Sequence, residues 1–161
     1  MDTLRLGISV GTMTWMAQGD RLEAIHLERG LGPESPSSAP RSGVLREALF
    51  QWQHYLKAPD HCFDLPLAFP GTPFQQKVFA ALREIPPGTV WTYGDLARVI
   101  GSAPRAVAGA LRRNPYPVVI PCHRIVAVGH LGGYCGAVAG PMMTIKRWLL
   151  RHEGVKVILS S

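Results

Sequence analysis

The sequence predicts an α+β fold built as two lobes, and three observations carry that expectation. Apolar and polar residues alternate through the first 28 positions, the pattern of half-buried strands. From residue 72 onward the apolar residues recur at helical spacing between recognisable caps. Pro- and Gly-rich breaks at 30–43 and 66–73 separate these segments. The expected division is therefore 1–71, an α+β lobe with a small antiparallel sheet and a helix, and 72–161, a mostly helical lobe.

Leu4, Leu6, Ile8 and Val10 alternate along one face of a first strand. Thr12–Met16 and Leu22–Leu27 read as the next two, separated by the turn-forming Gln18-Gly19-Asp20. Residues 30–43 hold three Pro, three Gly and four Ser, a composition for a surface loop or linker. Val44, Leu45, Ala48, Leu49, Trp52, Tyr55 and Leu56 then line one face of a helix that packs on the sheet. Thr72-Pro73 supplies an N-cap hydroxyl and a first-turn proline, opening a helix to about Ile85 that Pro86-Pro87-Gly88 ends. Thr92 caps another, stopped at Ile100 by Gly101. Pro104 opens the next, Arg105 to Arg113, closed by Asn114-Pro115. Two short helices joined by a tight Gly-containing turn fit a helix-turn-helix. A last helix, about Thr144 to His152, buries Ile145, Trp148 and Leu149 and closes at Gly154.

Composition narrows the function classes. Apolar residues make up 47% of the chain and charged ones 17%, values of a globular protein with a core rather than a disordered one. No apolar run reaches the roughly 18 residues of a membrane span, and the N-terminus lacks signal-peptide character, so a cytoplasmic location and no membrane partner are expected. Cys62, Cys122 and Cys135 are odd in number and widely spaced, which argues against a disulfide framework. Adjacent His61-Cys62 is not spaced for ligation, so no metal is expected, and Cys62 reads as a small buried hydrophobe. Charge is unevenly divided. Residues 1–71 carry six Lys/Arg against eight Asp/Glu, and residues 72–161 carry eleven against three. The second lobe is the one suited to a polyanion.

Within that basic lobe, Ile120-Pro121-Cys122-His123-Arg124-Ile125 sets a thiol beside an imidazole. A free cysteine is mostly protonated at neutral pH, and a neighbouring His that takes its proton is the usual activator. The helix before it is small-sided, with Ala103, Ala106, Ala108, Gly109 and Ala110. Such a surface allows close approach to a narrow groove while reading little sequence, and a tight helix–helix contact explains it equally well. Arg105 at its start and Glu153 near the end of the last helix both oppose the helix dipole, so each invites explanation by a partner.

Taken in order, Thr92-Tyr93-Gly94-Asp95-Leu96-Ala97, Arg105-Ala106-Val107-Ala108-Gly109-Ala110-Leu111, Asn114-Pro115, the Pro121-Cys122-His123-Arg124 block, Gly133-Tyr134, and Lys146 through Trp148-Leu149-Leu150 to Glu153-Gly154 resemble the O6-alkylguanine-DNA alkyltransferases. The resemblance covers residues 72–155 and implies a ribonuclease H-like first lobe and a helix-turn-helix in the second. It implies single-turnover DNA repair without a cofactor. Cys122 would take the alkyl group from O6 of a flipped guanine (O4-alkylthymine being a further candidate) in double-stranded DNA, the protein acting as a monomer. His123 would deprotonate Cys122 through a water, Glu153 would orient His123, and Tyr93 would donate toward the base and displace the 3′ phosphate. Asn114 would fix the turn below the site. Arg105 would fill the gap in the duplex, with Ala106, Ala110, Arg112, Arg113 and Arg124 completing the DNA face. Pro117, Ile125, Tyr134, Cys135 and Gly136 would contact the base.

Two departures bear on the pocket. The segment from Tyr134 to Lys146 is longer than the family usually has, and Cys135 places a second thiol after the tyrosine, which invites oxidation. Two other functions compete. A lesion-binding module would carry another residue, commonly Trp, in place of Cys122. A helix-turn-helix regulator would display polar base-reading side chains where Ala106 to Ala110 stand. A cysteine hydrolase lacks an evident oxyanion site.

Overall fold

The computed structural model describes residues 1–156 apart from 31, 34, 35, 37 and 38, so part of the expected 30–43 loop and the last five residues lie outside the described residues. Strands β1 (Asp2–Ile8), β2 (Gly11–Gln18) and β3 (Arg21–Glu28) form an antiparallel sheet in the order β1-β2-β3. Leu4, Leu6, Ile8, Met13, Trp15, Ala17, Leu22 and Ile25 turn one face of it inward. The first strand ends two residues earlier than its alternation suggests, because Ser9 and Val10 make the turn into β2.

Helix α1 (Gly43–Lys57) covers that face with Val44, Leu45, Ala48, Trp52 and Tyr55 buried. Ser42 caps it, its hydroxyl accepting from Leu45 N at 3.3 Å, and the Ser42 backbone donates to Asp2 Oδ2 at 2.8 Å, which ties the helix start to β1. The free edge of β3 is covered by chain from further on. Leu22 N donates to Pro66 O and Ala68 N to Leu22 O, both at 2.8 Å, while Ile25 N donates to Pro115 O at 2.9 Å. These bonds satisfy edge groups that would otherwise template strand pairing.

Helices α2 (Pro73–Arg83), α3 (Tyr93–Ile100), α4 (Pro104–Arg112) and α5 (Pro141–His152) build the second half. Thr72 and Gln75 form a reciprocal capping box at α2, and Thr92 and Asp95 form one at α3. Gly101 ends α3 at φ 70°, a left-handed cap that glycine adopts without a Cβ penalty, and α4 starts three residues later. Helix α5 begins three residues before the expected Thr144, because Pro141 occupies its first turn after Gly140 at φ 83°. A feature the sequence reading did not resolve is a parallel pair of two-residue strands, β4 (Trp91–Thr92) and β5 (Ile125–Val126). It sets the start of α3 directly beside the Cys122–Arg124 turn.

One cluster of buried apolar residues runs from the sheet through α1 into α2–α5. At the junction Trp52 of α1 stacks on Trp148 of α5, ring centroids 6.1 Å apart, and Trp148 stacks on His152 at 5.2 Å. Cys62 corrects an expectation, since it is exposed rather than a buried hydrophobe. It lies in the irregular stretch after α1, where no regular face carries it into the core. Among the described residues no helix is long and apolar enough to cross a membrane, and none group as three or more potential metal ligands.

Candidate active site

Cys122, His123 and Arg124 form a single 3₁₀ turn, and all three are buried. The approach to it is tightly made. Asn114 accepts from Tyr116 N at 2.9 Å through Oδ1 and donates to Ile120 O at 2.9 Å through Nδ2, bridging the loop between α4 and the turn. Inside this loop Val118 sits at φ 80°, a rare conformation for a β-branched residue and a local strain of about 1–3 kcal/mol. The same Asn114 Nδ2 lies 3.3 Å from Cys122 Sγ, so one amide both shapes the loop and donates to the sulfur.

Behind the thiol, Glu153 at the C-cap of α5 gathers four donated hydrogen bonds. Its Oε2 accepts from His123 Nε2 at 2.8 Å, from Tyr55 Oη at 2.7 Å and from Arg124 Nη2 at 3.1 Å. Its Oε1 accepts from Arg124 Nε at 2.8 Å. Burial alone would raise this carboxyl, but the His123 and Arg124 partners outweigh it and hold Glu153 well below the usual carboxylate range. Arg124 bonds both carboxylate oxygens, so Glu153 keeps a second partner besides His123.

The bond from His123 Nε2 to a carboxylate fixes the tautomer, leaving Nδ1 as the basic nitrogen. That Nδ1 is buried and has no hydrogen-bond partner among the described residues. Burial lowers the His123 pKa below its ordinary value despite the raising effect of Glu153, so the ring is neutral and able to accept a proton at pH 7. Burial pushes the Cys122 thiol up, offset in part by the Asn114 hydrogen bond and the Lys146 charge. Thiol and imidazole are thus both neutral at rest, an arrangement for proton removal during reaction rather than for a standing ion pair.

Cys122 faces a cavity of about 190 Å³ whose wall includes Tyr93, Arg112, Tyr134, Cys135 and Gly136. That is smaller than the roughly 300–1,000 Å³ of pockets for drug-sized ligands and suits one small group. Tyr93 Oη accepts from Gly133 N at 3.3 Å and keeps its own proton for donation. Gly132, at φ 74°, allows that approach, since a Cβ there would stand 3.0 Å from the Tyr93 ring and hydroxyl. Tyr134 Oη is buried without a partner among the described residues. Cys135, at φ 50°, stands at the exposed rim, and desolvation together with neighbouring Cys122 pushes its thiol up to about 12.

Arg105, Ala106, Arg112 and Arg113 are exposed along α4 and its end, Arg112 at the rim of the cavity. Four expected contacts are corrected. Arg124 does not belong to a DNA face, because its guanidinium is spent on Glu153 and on Ile85 O at 2.8 Å inside the protein. Ala110 is 5% exposed and faces the core with Val107 and Leu111. Pro117 and Ile125 are not among the residues lining the cavity. Pro117 lines a separate groove with Ile25 and Asn114, and Ile125 is fully buried with its carbonyl taken by Lys146.

The profile of the "6-O-methylguanine DNA methyltransferase, DNA binding domain" matches residues 73–155, which include Tyr93, Arg105, Asn114, Cys122, His123 and Glu153. The chain belongs to the 6-O-methylguanine DNA methyltransferase family. A methylated-DNA–protein-cysteine methyltransferase of Methanothermobacter thermautotrophicus is 38% identical over 141 residues, covering 86% of this chain and 77% of that protein. Its counterpart in Thermococcus sibiricus is 47% identical over 92 residues, covering 56% of this chain, and the chain spans about half the length of that relative. Among solved structures, Mycobacterium tuberculosis OGT in complex with DNA superposes with a TM-score of 0.75 at 33% identity, covering 94% of this chain and 92% of that one.

In this member of the methyltransferase family, two buried polar residues make bonds that the sequence patterns do not show. Lys146 is fully buried, its Nζ donating to Ile125 O, Leu131 O and Gly133 O, each at 2.7 Å. It thereby clamps the turn to the pocket wall, and burial lowers its pKa to about 8 against the opposing pull of Cys122 and Cys135. Tyr55 read as one more apolar contact of α1. Lys146 had a signal, since it falls between Ile145 and Leu149 on the buried face of α5; Tyr55 had none, because a tyrosine on an apolar stripe usually only packs.

Proposed function

We propose that the protein repairs DNA by moving the alkyl group of an O6-alkylguanine onto Cys122 in a single turnover. The observation that carries this reading is the Cys122 sulfur at the wall of a base-sized cavity, with the His123–Glu153 pair directly behind it. In the reaction Cys122 gives its proton to His123 Nδ1, through a bridging water, and the sulfur attacks the alkyl carbon in line. The carbon–O6 bond breaks and the sulfur–carbon bond forms. The leaving guanine takes a proton at its ring nitrogen from water and His123 returns its proton to water, so the net change exchanges the Cys122 proton for the alkyl group. Tyr93 donates toward the leaving base, and Asn114 Nδ2 stabilises the sulfur as it gains charge. A thioether is a poor leaving group, so the thiol is consumed with each lesion.

The partner is double-stranded DNA, with α3 and α4 acting as a helix-turn-helix. Arg105, Arg112 and Arg113 supply the positive charge, and exposed Ala106 allows close approach of α4. Arg105 occupies the place of the extruded base. Tyr134, Cys135 and Gly136 border the base pocket. The first lobe is read as a reduced ribonuclease H-like unit, and the three unpaired cysteines fit a reducing, cytoplasmic setting for a monomer. The reading is tested by incubating the protein with a duplex carrying label on the methyl group of O6-methylguanine. About one equivalent of label on the protein is expected, and none with Cys122→Ala. Tight lesion binding without label transfer would instead identify a lesion-binding module.

A further inference from the structure

Glu153 Oε2 is shared by His123 of the second lobe and Tyr55 of the first. Tyr55 is 1% exposed, and its ring is held on several sides. Trp52 lies 5.4 Å from it, Phe63 5.2 Å and His152 4.7 Å between ring centroids. His152 Nε2 also bonds the Tyr55 carbonyl at 2.7 Å. The side chain therefore has little freedom to point its hydroxyl elsewhere. A residue used only for packing would be served as well by phenylalanine, and a buried hydroxyl is retained at a cost unless it is bonded.

We propose that Tyr55 is a positioning residue for the alkyl transfer: by donating to Glu153 Oε2, the first lobe sets the basicity of the His123 that takes the Cys122 proton. This rests on the transfer reading above. Oε2 also accepts from Arg124 Nη2, and a carboxylate oxygen with several strong donors holds less negative charge for any one of them. Withdrawing the Tyr55 hydroxyl concentrates that charge on the His123 bond and favours the imidazolium. His123 then stays protonated to a higher pH and is a free base over a narrower range. The other groups facing this network are Arg124 and Cys122 on the turn, Lys146 and His152 on α5, and Tyr134 on the pocket wall. Arg124 and Lys146 disfavour the imidazolium, so the hydroxyl works in the same direction as those two cations.

The test is the pH dependence of single-turnover transfer from O6-methylguanine DNA, for the full chain and for Tyr55→Phe, which keeps the ring and removes the hydroxyl. The ascending limb is expected to move up by about half to one pH unit in the variant. Trp52→Phe, which loosens the same junction without touching Glu153, should lower the melting temperature and leave the limb in place. A Tyr55→Phe limb superposed on that of the unmodified protein, or an equal shift in Trp52→Phe, would overturn the proposal. A second measurement needs neither a variant nor a substrate. In the unmodified protein the Tyr55 hydroxyl proton, followed by NMR, should shift with the midpoint of the His123 ring titration. A hydroxyl resonance flat through that titration would overturn it. Absence of transfer by the unmodified protein would strike at the transfer reading itself and leave the NMR arm to test the link.

Discussion

The chemistry of the site turns on single atoms with more than one bond. Asn114 Nδ2 reaches both a loop carbonyl and the Cys122 sulfur, and Glu153 Oε2 serves three donors. Lys146 Nζ carries three carbonyls, a number that exhausts the hydrogens of an ammonium group. Lys146→Met, close in length and free of charge, should leave those carbonyls unsatisfied and cost about 2–4 kcal/mol, read as a lower urea midpoint. Transfer should fall with it, because the carbonyls belong to β5 and the pocket wall. At this scale the sequence was partly legible. The Cys122-His123 pair and the distant Glu153 stand out through adjacency and an unfavourable helix dipole. Arg124 was misread because a basic residue beside a nucleophile in a basic lobe looks like a phosphate ligand. What decides its role is the buried carboxylate, 29 residues away, and no local pattern carries that.

Helix ends and small residues set the geometry of the elements. The N-caps at Thr72 and Thr92 and the Gly101 cap are readable because each rests on residues within four positions of one another. The β4–β5 pair is not, since two-residue strands have no period and their partners lie far apart in sequence. Yet that pair carries Tyr93 to the Cys122 turn. Along α4, buried Ala110 and exposed Ala106 divide the small-residue pattern between a packing face and an open one, so helix packing accounts for one side of it. Arg105 is exposed on α4 and makes no hydrogen bond or ion pair among those described. Arg105→Ala should therefore leave the melting temperature unchanged. It should slow transfer from duplex DNA by about tenfold or more, while transfer from a free O6-alkylguanine base, which needs no flipping, is unaffected. Equal losses on duplex and free base would show that Arg105 acts elsewhere.

Over the whole molecule, the sheet and α1 share one core with α2–α5 and reach the site through the Tyr55–Glu153 contact. Glu153 and His123 also couple stability to pH. Both have depressed folded-state pKa values, from ordinary values of 4.5 and 6.5. Each therefore binds a proton more readily unfolded than folded, and each contributes stability above its ordinary value that is lost as pH falls. Urea titrations should show the unfolding free energy declining below about pH 6.5 and more steeply below about pH 4.5. Glu153→Gln should flatten the lower part of that decline. A stability rising through this range on acidification would contradict the burial of a neutral His123 beside an ionised Glu153. The central claim, that Cys122 is a reagent spent on the lesion, is tested most directly by peptide mass after reaction with O6-methylguanine DNA. Tryptic cleavage after Arg113 and Arg124 isolates a peptide in which Cys122 is the sole cysteine. This peptide should gain the mass of one methylene in proportion to lesion consumed, with Cys62 and Cys135 unmodified. Repaired DNA with an unmodified 114–124 peptide, or methyl on Cys135 instead, would contradict it.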